Sequence, residues 1–232
     1  MRKSIFTIIF ICGIFLMPQM MRADNASSIV QQLNGYPMIS GGTGWLSGTL
    51  TNPTTVTIGG TLTGVTTGLA LNIDAGVTVK WGATISSTTL NLVLIYITGL
   101  GTFEVTSGAI TSQGQAIHCN DGSAIIVSGG TVSSTGSEAI TGVATSSVTV
   151  NGGTVSATSN DAIRSNGAVT VSGTGTVRFT GTAGAAISAV GNVQVSGGTV
   201  SAIQGWAIHS GSTVTVSGGL VFAYGDEIIY HY

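Results

Sequence analysis

An Ala-Ile step recurs through the second half of this 232-residue chain, at Ala116-Ile117, Ala139-Ile140, Ala162-Ile163, Ala186-Ile187 and Ala207-Ile208. Ile228-Ile229 stands in the same place of a sixth copy, so the spacings are 23, 23, 24, 21 and 21 residues. Other landmarks keep the same register. A first strand reads Phe103-Glu104-Val105, Ile125-Ile126-Val127, Val148-Thr149-Val150, Val169-Thr170-Val171, Val193-Gln194-Val195 and Val214-Thr215-Val216. A glycine corner follows, at Ser107-Gly108, Gly129-Gly130, Gly152-Gly153, Gly173-Thr174-Gly175, Gly197-Gly198 and Gly218-Gly219. A second strand then carries Ile110, Val132, Val155, Val177, Val200 and Val221, flanked mostly by Thr and Ser. Alternation of this kind turns the aliphatics one way and the hydroxyls the other.

A period of just over twenty residues is the length of one structural coil. The repeat holds only short β-branched strands and glycine corners, without the leucine spacing or paired helices that other repeats of this length require. A single coil buries too few aliphatics to offset the entropy of ordering it, so neighbouring coils must stack and hydrogen-bond. The expected fold is all-β: a single-stranded right-handed parallel β-helix with about 21 to 24 residues per coil, the hand following that of parallel crossovers. Composition agrees, with 36 glycines, 3 prolines and only 6% charged residues, the polarity being carried by Ser, Thr and Asn.

The amino terminus has the three-part plan of a secretory signal peptide: Arg2 and Lys3, an uncharged stretch from Ile5 to Met17, and small residues around Ala23 and Ala26. The apolar run is too short to span a bilayer comfortably. The chain is therefore divided into a signal peptide (1–23), an amino-terminal cap with irregular first coils (24–102) and regular β-helix repeats (103–232), with secretion or the cell surface as the destination. Within the middle segment, Ala26 to Leu33 is expected to form a short helix over the first coil. Leu92-Val93-Leu94-Ile95 breaks alternation and suggests a strand covered on both faces, and Lys80-Trp81 suggests a corner cap.

Removal of residues 1–23 leaves Lys80, Arg164 and Arg178 against eight carboxylates. A net acidic chain with three scattered cations lacks the basic stripe that nucleic acid requires. Cys119 alone remains of the two cysteines, so no intramolecular disulfide is expected, and the thiol is either buried or paired with another chain. At the other end Ile228-Ile229-Tyr230-His231-Tyr232 falls within a repeat. Three arrangements suit it: the tyrosines fold over the last coil, the polypeptide continues, or two molecules associate end to end.

The phrase Val148-Thr-Val-Asn-Gly-Gly-Thr-Val-Ser-Ala-Thr-Ser-Asn-Asp-Ala-Ile-Arg164 resembles bacterial secreted and cell-surface right-handed β-helix proteins of the carbohydrate-binding or adhesin-like type. In those proteins strings of Thr-Val-x-x-Ser-Gly-Gly-Thr-Val-x-Ala repeat. The likeness covers residues 100–232, and Asp74-Ala-Gly-Val-Thr-Val79 is similar to their opening coils. It implies a polysaccharide or surface glycan as partner. Some members hold calcium in acidic clusters; here carboxylates come at most one per coil before Asp226-Glu227, so no cofactor is expected.

Stacking should align two files beside the Ala-Ile step. The position before it holds Gln115, Glu138, Asp161, Ala185, Trp206 and Glu227, and the position after it holds His118, Thr141, Arg164, Ser188, His209 and Tyr230. Glu138, Asp161, Arg164, His118, Trp206 and His209 are the candidate ligand-binding residues. An aromatic ring would stack on a sugar face while the charged groups hydrogen-bond hydroxyls. The competing reading is a solvated edge on which Asp161 and Arg164 neutralise each other and Trp206 shields the last coils. The histidines lack the close partners of a metal site, and no Gly-x-Ser-x-Gly elbow accompanies the serines. Thr131/Ser133, Thr154/Ser156, Thr176/Arg178 and Thr199/Ser201 form a flat hydroxyl face similar to that of ice-binding solenoids, interrupted by Arg178 and ended by Leu220 and Phe222.

The expected function is that of a non-catalytic extracellular module binding carbohydrate or a host or cell surface. The alternatives are a structural spacer in a larger surface protein and a polysaccharide lyase or hydrolase, which would need convergent carboxylates.

Overall fold

A computed structural model describes residues 25–143, 145–225 and 228–231; the expected signal peptide lies outside them. The chain winds into a β-solenoid of about eight turns whose coils have three faces. The first face stacks Thr78–Trp81, Thr102–Val105, Ala124–Val127, Ser147–Val150 and Val169–Val171. The second stacks Thr84–Ser87, Ala109–Ser112, Thr131–Ser134, Thr154–Ala157 and Thr176–Phe179. Long strands at Thr55–Thr63, Val193–Ala202 and Val214–Ala223 run across the corner between these two faces. The third face is a separate eight-stranded sheet from Leu69–Ile73 to Ile229–His231.

The expected rungs align residue for residue. Val56, Val79, Phe103, Ile125, Val148, Val169 and Val193 pair in succession down the first face. Leu62, Ile85, Ile110, Val132, Val155, Val177 and Val200 do so down the second. Ile95, Ile117, Ile140, Ile163, Ile187 and Ile208 follow down the third. All of these are buried, so each coil adds one layer to a continuous apolar column and neighbouring layers supply most of one another's burial.

The Ala-Ile step marks the corner between the second and third faces. Both residues of each pair are buried in all five copies, Ala116-Ile117 to Ala207-Ile208, because alternation breaks at the alanine where the third-face strand begins and two consecutive side chains turn inward. Leu94-Ile95 occupies the same corner one coil earlier: Ile95 pairs with Ile117 and both residues are buried. Its break in alternation is this corner, and not the two-sided cover expected from sequence. Trp81 also departs from expectation. It ends a first-face strand, is fully buried beside Phe103 at a centroid distance of 5.9 Å, and donates its Nε1–H to Ala83 O at 2.8 Å; it is core, not a corner cap.

The glycine corners are fixed by conformation and by contact. Gly153 has φ +62°, and a Cβ there would lie 2.6 Å from Gly129 C and O in the coil below. No side chain fits while the coils keep their spacing.

The open strand edges at the amino-terminal end are covered in two ways. Thr43–Asn52 pairs antiparallel with Thr55–Thr63 and closes the first two faces. A helix over residues 25–39, longer than the expected Ala26 to Leu33, closes the third. Ala26, Ile29, Leu33 and Tyr36 form its buried stripe, at the spacing of one helical face. Its polar side chains turn to the edge strand Leu69–Ile73 and its approach: Asn25 Nδ2 donates to Asn72 O at 3.2 Å, Gln32 Nε2 to Ala70 O, and Tyr36 OH to Thr67 O. Burial pushes the Tyr36 pKa up and so holds the proton on that donor. No helix among the described residues is long and apolar enough to cross a membrane.

Candidate functional site

The third face gathers the candidate residues because strand pairing places every after-step residue directly over the next. Tyr96, His118, Thr141, Arg164, Ser188, His209 and Tyr230 are consecutive partners in register. Ala185 and Trp206 are paired likewise in the file before the step. The candidates fall into two clusters along this stripe.

The first cluster is centred on Glu138. Arg164 Nη1 lies 3.6 Å from Glu138 Oε1, with the arginine side chain 64% exposed and the glutamate 12%. Ser137 Oγ donates to Glu138 Oε2 at 2.7 Å, and Gln115 Nε2 reaches the same oxygen at 3.5 Å and also donates to Thr141 Oγ1. Gln115 Oε1 accepts from His118 Nδ1 at 2.9 Å, and the His118 ring stacks on Tyr96 at 5.3 Å and 11°. Burial lowers the His118 pKa, with the negative Glu138 pulling it partly back.

Asp161 is next to this group, yet its direct bond goes elsewhere. Its Oδ1 accepts the Ala185 N–H at 2.8 Å, so the ion pair expected between Asp161 and Arg164 is formed by Glu138 and Arg164. Burial raises the Asp161 pKa; the Ala185 N–H, Arg164 and Ser188 oppose the rise, and Glu138 adds to it. A carboxyl whose folded pKa is raised favours folding below its unfolded pKa, and that contribution is lost as pH rises through the folded value. At neutral pH the ionised Asp161 is therefore a net burden. Asp161→Asn keeps an oxygen for Ala185 and removes the charge. Its melting temperature at neutral pH should exceed that of the wild type slightly, and the advantage should vanish below about pH 3, where even an unfolded aspartate is largely protonated. A lower melting temperature at neutral pH would show the charge to be stabilising.

The second cluster is aromatic. Trp206 and His209 have centroids 5.1 Å apart at 29°, Tyr230 is 5.6 Å from Trp206 and 5.2 Å from His209, and Tyr230 is 40% exposed. Trp206 and His209 share one strand and Tyr230 stands on the next coil, and the three form one half-exposed patch. Trp206 packs against His209 and Tyr230 and keeps part of its surface in solvent. The alignment of Tyr96 and Tyr230 with the histidines extends the stripe beyond the candidates named from sequence; the equivalence of Leu94-Ile95 to Ala-Ile is the signal for Tyr96.

In chemical terms the first cluster is a braced polar surface. The Glu138 oxygens are engaged by Arg164, Ser137 and Gln115, and an Asp161 oxygen by the Ala185 N–H. Among the described residues, no group of three or more His, Cys, Asp or Glu side chains is placed to hold a metal ion. Cys119 is buried and forms no disulfide, its Sγ donating to Asp121 O at 3.4 Å and accepting from Ser146 Oγ at 3.3 Å.

Comparison with known proteins finds no matching family model, no matching curated protein and no matching solved structure. The class is set by architecture: a parallel β-solenoid with repeating coils. Its third face carries the polar and aromatic stripe described above.

Proposed function

We propose that this protein is a non-catalytic extracellular module that binds carbohydrate, or a glycan-bearing surface, through the third face of its solenoid. The observation that carries this reading is the Trp206–His209–Tyr230 patch, three adjoining rings on two successive coils with centroids 5.1 to 5.6 Å apart. A rigid aromatic platform offers a large contact area at low entropic cost and a polar tip on each ring. Arg164, Glu138 and His118 extend the same stripe towards the amino-terminal coils, in reach of the hydroxyls of a longer saccharide. An extended ligand would lie along the solenoid, crossing one coil about every 4.8 Å.

A glycan array probed with wild type and Trp206→Ala tests this. The wild type should retain one class of glycan and the variant should lose at least about tenfold in affinity, which corresponds to about 1.4 kcal/mol. Absence of binding to any glycan would remove the reading and leave the spacer. The self-satisfied network around Glu138 favours the spacer, since it needs no ligand to complete it.

A further inference from the structure

A second site stands on the second face, on a different sheet from the third-face stripe. The outward file of that face reads Thr111, Ser133, Ser156, Arg178, Ser201 and Phe222, each paired with the next. Up to Ser156 the surface is flat and hydroxyl-lined. At Arg178 it changes: a long cation and a large ring rise on either side of one serine. Arg178, Ser201 and Phe222 are on three adjacent strands, so the walls stand about 10 Å apart across the Ser201 floor.

Two polar groups here are open to a ligand. Ser201 retains only 8% of its surface, although it faces outward, and its hydroxyl makes no hydrogen bond among the described residues. The Arg178 side chain is exposed, and its guanidinium likewise has no hydrogen-bond or ion-pair partner among them. The remaining lining is apolar, from Ala202, Ile203, Phe222 and Tyr224, around a cavity of about 270 Å³. Phe222 and Tyr224 meet edge to face at 5.2 Å and 81°, which fixes the ring wall. Among the described residues the buried hydroxyl without a partner is that of Ser112, so the Ser201 hydroxyl is reached by solvent and open to a ligand. A guanidinium offers a planar fork matched to a carboxylate.

We propose that this cleft binds a small carboxylate carrying an apolar or aromatic ring, with Arg178 and Ser201 holding the carboxylate and Phe222, Tyr224 and Ile203 holding the ring. The volume is close to the lower bound of about 300 Å³ for small-molecule pockets, which suits a single ring. The predominance of apolar lining favours such a ring over a hydroxylated sugar acid, whose hydroxyls would find no partners on these walls.

The test is an NMR titration of the isotopically labelled full chain with benzoate, cyclohexanecarboxylate, benzyl alcohol and glucuronate. Benzoate and cyclohexanecarboxylate should shift the amide signals of Ser201, Phe222 and Tyr224 saturably. Benzyl alcohol and glucuronate should bind at least about tenfold more weakly. Arg178→Gln should lose at least about tenfold in benzoate affinity with an unchanged circular dichroism spectrum, and Trp206→Ala should change nothing. The proposal is overturned by any of three results: no saturable shift with benzoate, equal binding of benzyl alcohol or glucuronate, or full benzoate affinity in Arg178→Gln.

Discussion

Replacing Trp81 with alanine is expected to lower the unfolding free energy by about 3–5 kcal/mol, the usual cost of emptying a large aromatic site. Trp81 is fully buried at the end of a first-face strand, in file with Ile58 on one side and Val105 on the other, and beside Phe103. The cavity would therefore open at the junction between the first coils and the rest. In a solenoid each coil is held by its neighbours, so weakening one interface should also divide the unfolding transition. The helix and first coils should melt before the coils from Phe103 onward. Calorimetry would show a low-temperature shoulder absent from the wild type. Trp81→Phe should fall between the two, keeping most of the packing and losing the bond to Ala83 O, worth about 1 kcal/mol. That oxygen retains the Ala109 N–H at 3.1 Å. A single transition for Trp81→Ala within about 1 kcal/mol of wild type would show that the first coils do not depend on this layer.

The solenoid is legible in the sequence because its constraints repeat. Each valine or isoleucine landmark must point inward in every coil, and each corner glycine must clear the backbone below, so one physical requirement is written into the chain many times. Features that occur once have no such redundancy. Trp81 reads as a cap because its neighbours in the file, Ile58 and Val105, are aliphatic and give no hint of room for an indole. Leu94-Ile95 is hidden because leucine replaces the alanine of the step. The stripe of candidate residues follows directly from the repeat, since register alone aligns His118, Thr141 and Arg164. Which partners meet is not legible. Whether Arg164 pairs with Asp161 or Glu138 depends on side-chain reach and on the Ala185 N–H that engages Asp161. The second-face cleft is visible only as an interruption of the hydroxyl file, because its walls come from positions 178 and 222 and meet only when the intervening coil is stacked between them.

Leu33→Asp is expected to have the other large effect, and it bears on how the stack is stopped. Leu33 is fully buried at the centre of the helix stripe, with Gly48 of the covering strand against it. An ionised carboxylate there has no partner, and burying one costs several kcal/mol. The helix should leave its seat before the core yields, because the coils beneath are held by their own strand pairing. The carbonyls of Thr67, Ala70 and Asn72 then lose the donors supplied by Tyr36, Gln32 and Asn25. An uncovered strand edge with unpaired backbone groups is a template for another chain. The variant should keep its β-type circular dichroism, become susceptible to proteolysis within residues 25–39, and run as concentration-dependent oligomers in size-exclusion chromatography. Leu33→Met, which preserves volume and polarity, should elute as the wild type does. A protease-susceptible Leu33→Asp that stays free of oligomers would mean that the uncovered edge strand Leu69–Ile73 does not recruit other chains. The helix would then serve the stability of the first coil alone, and the three side-chain bonds to the edge strand would be incidental to keeping other chains away.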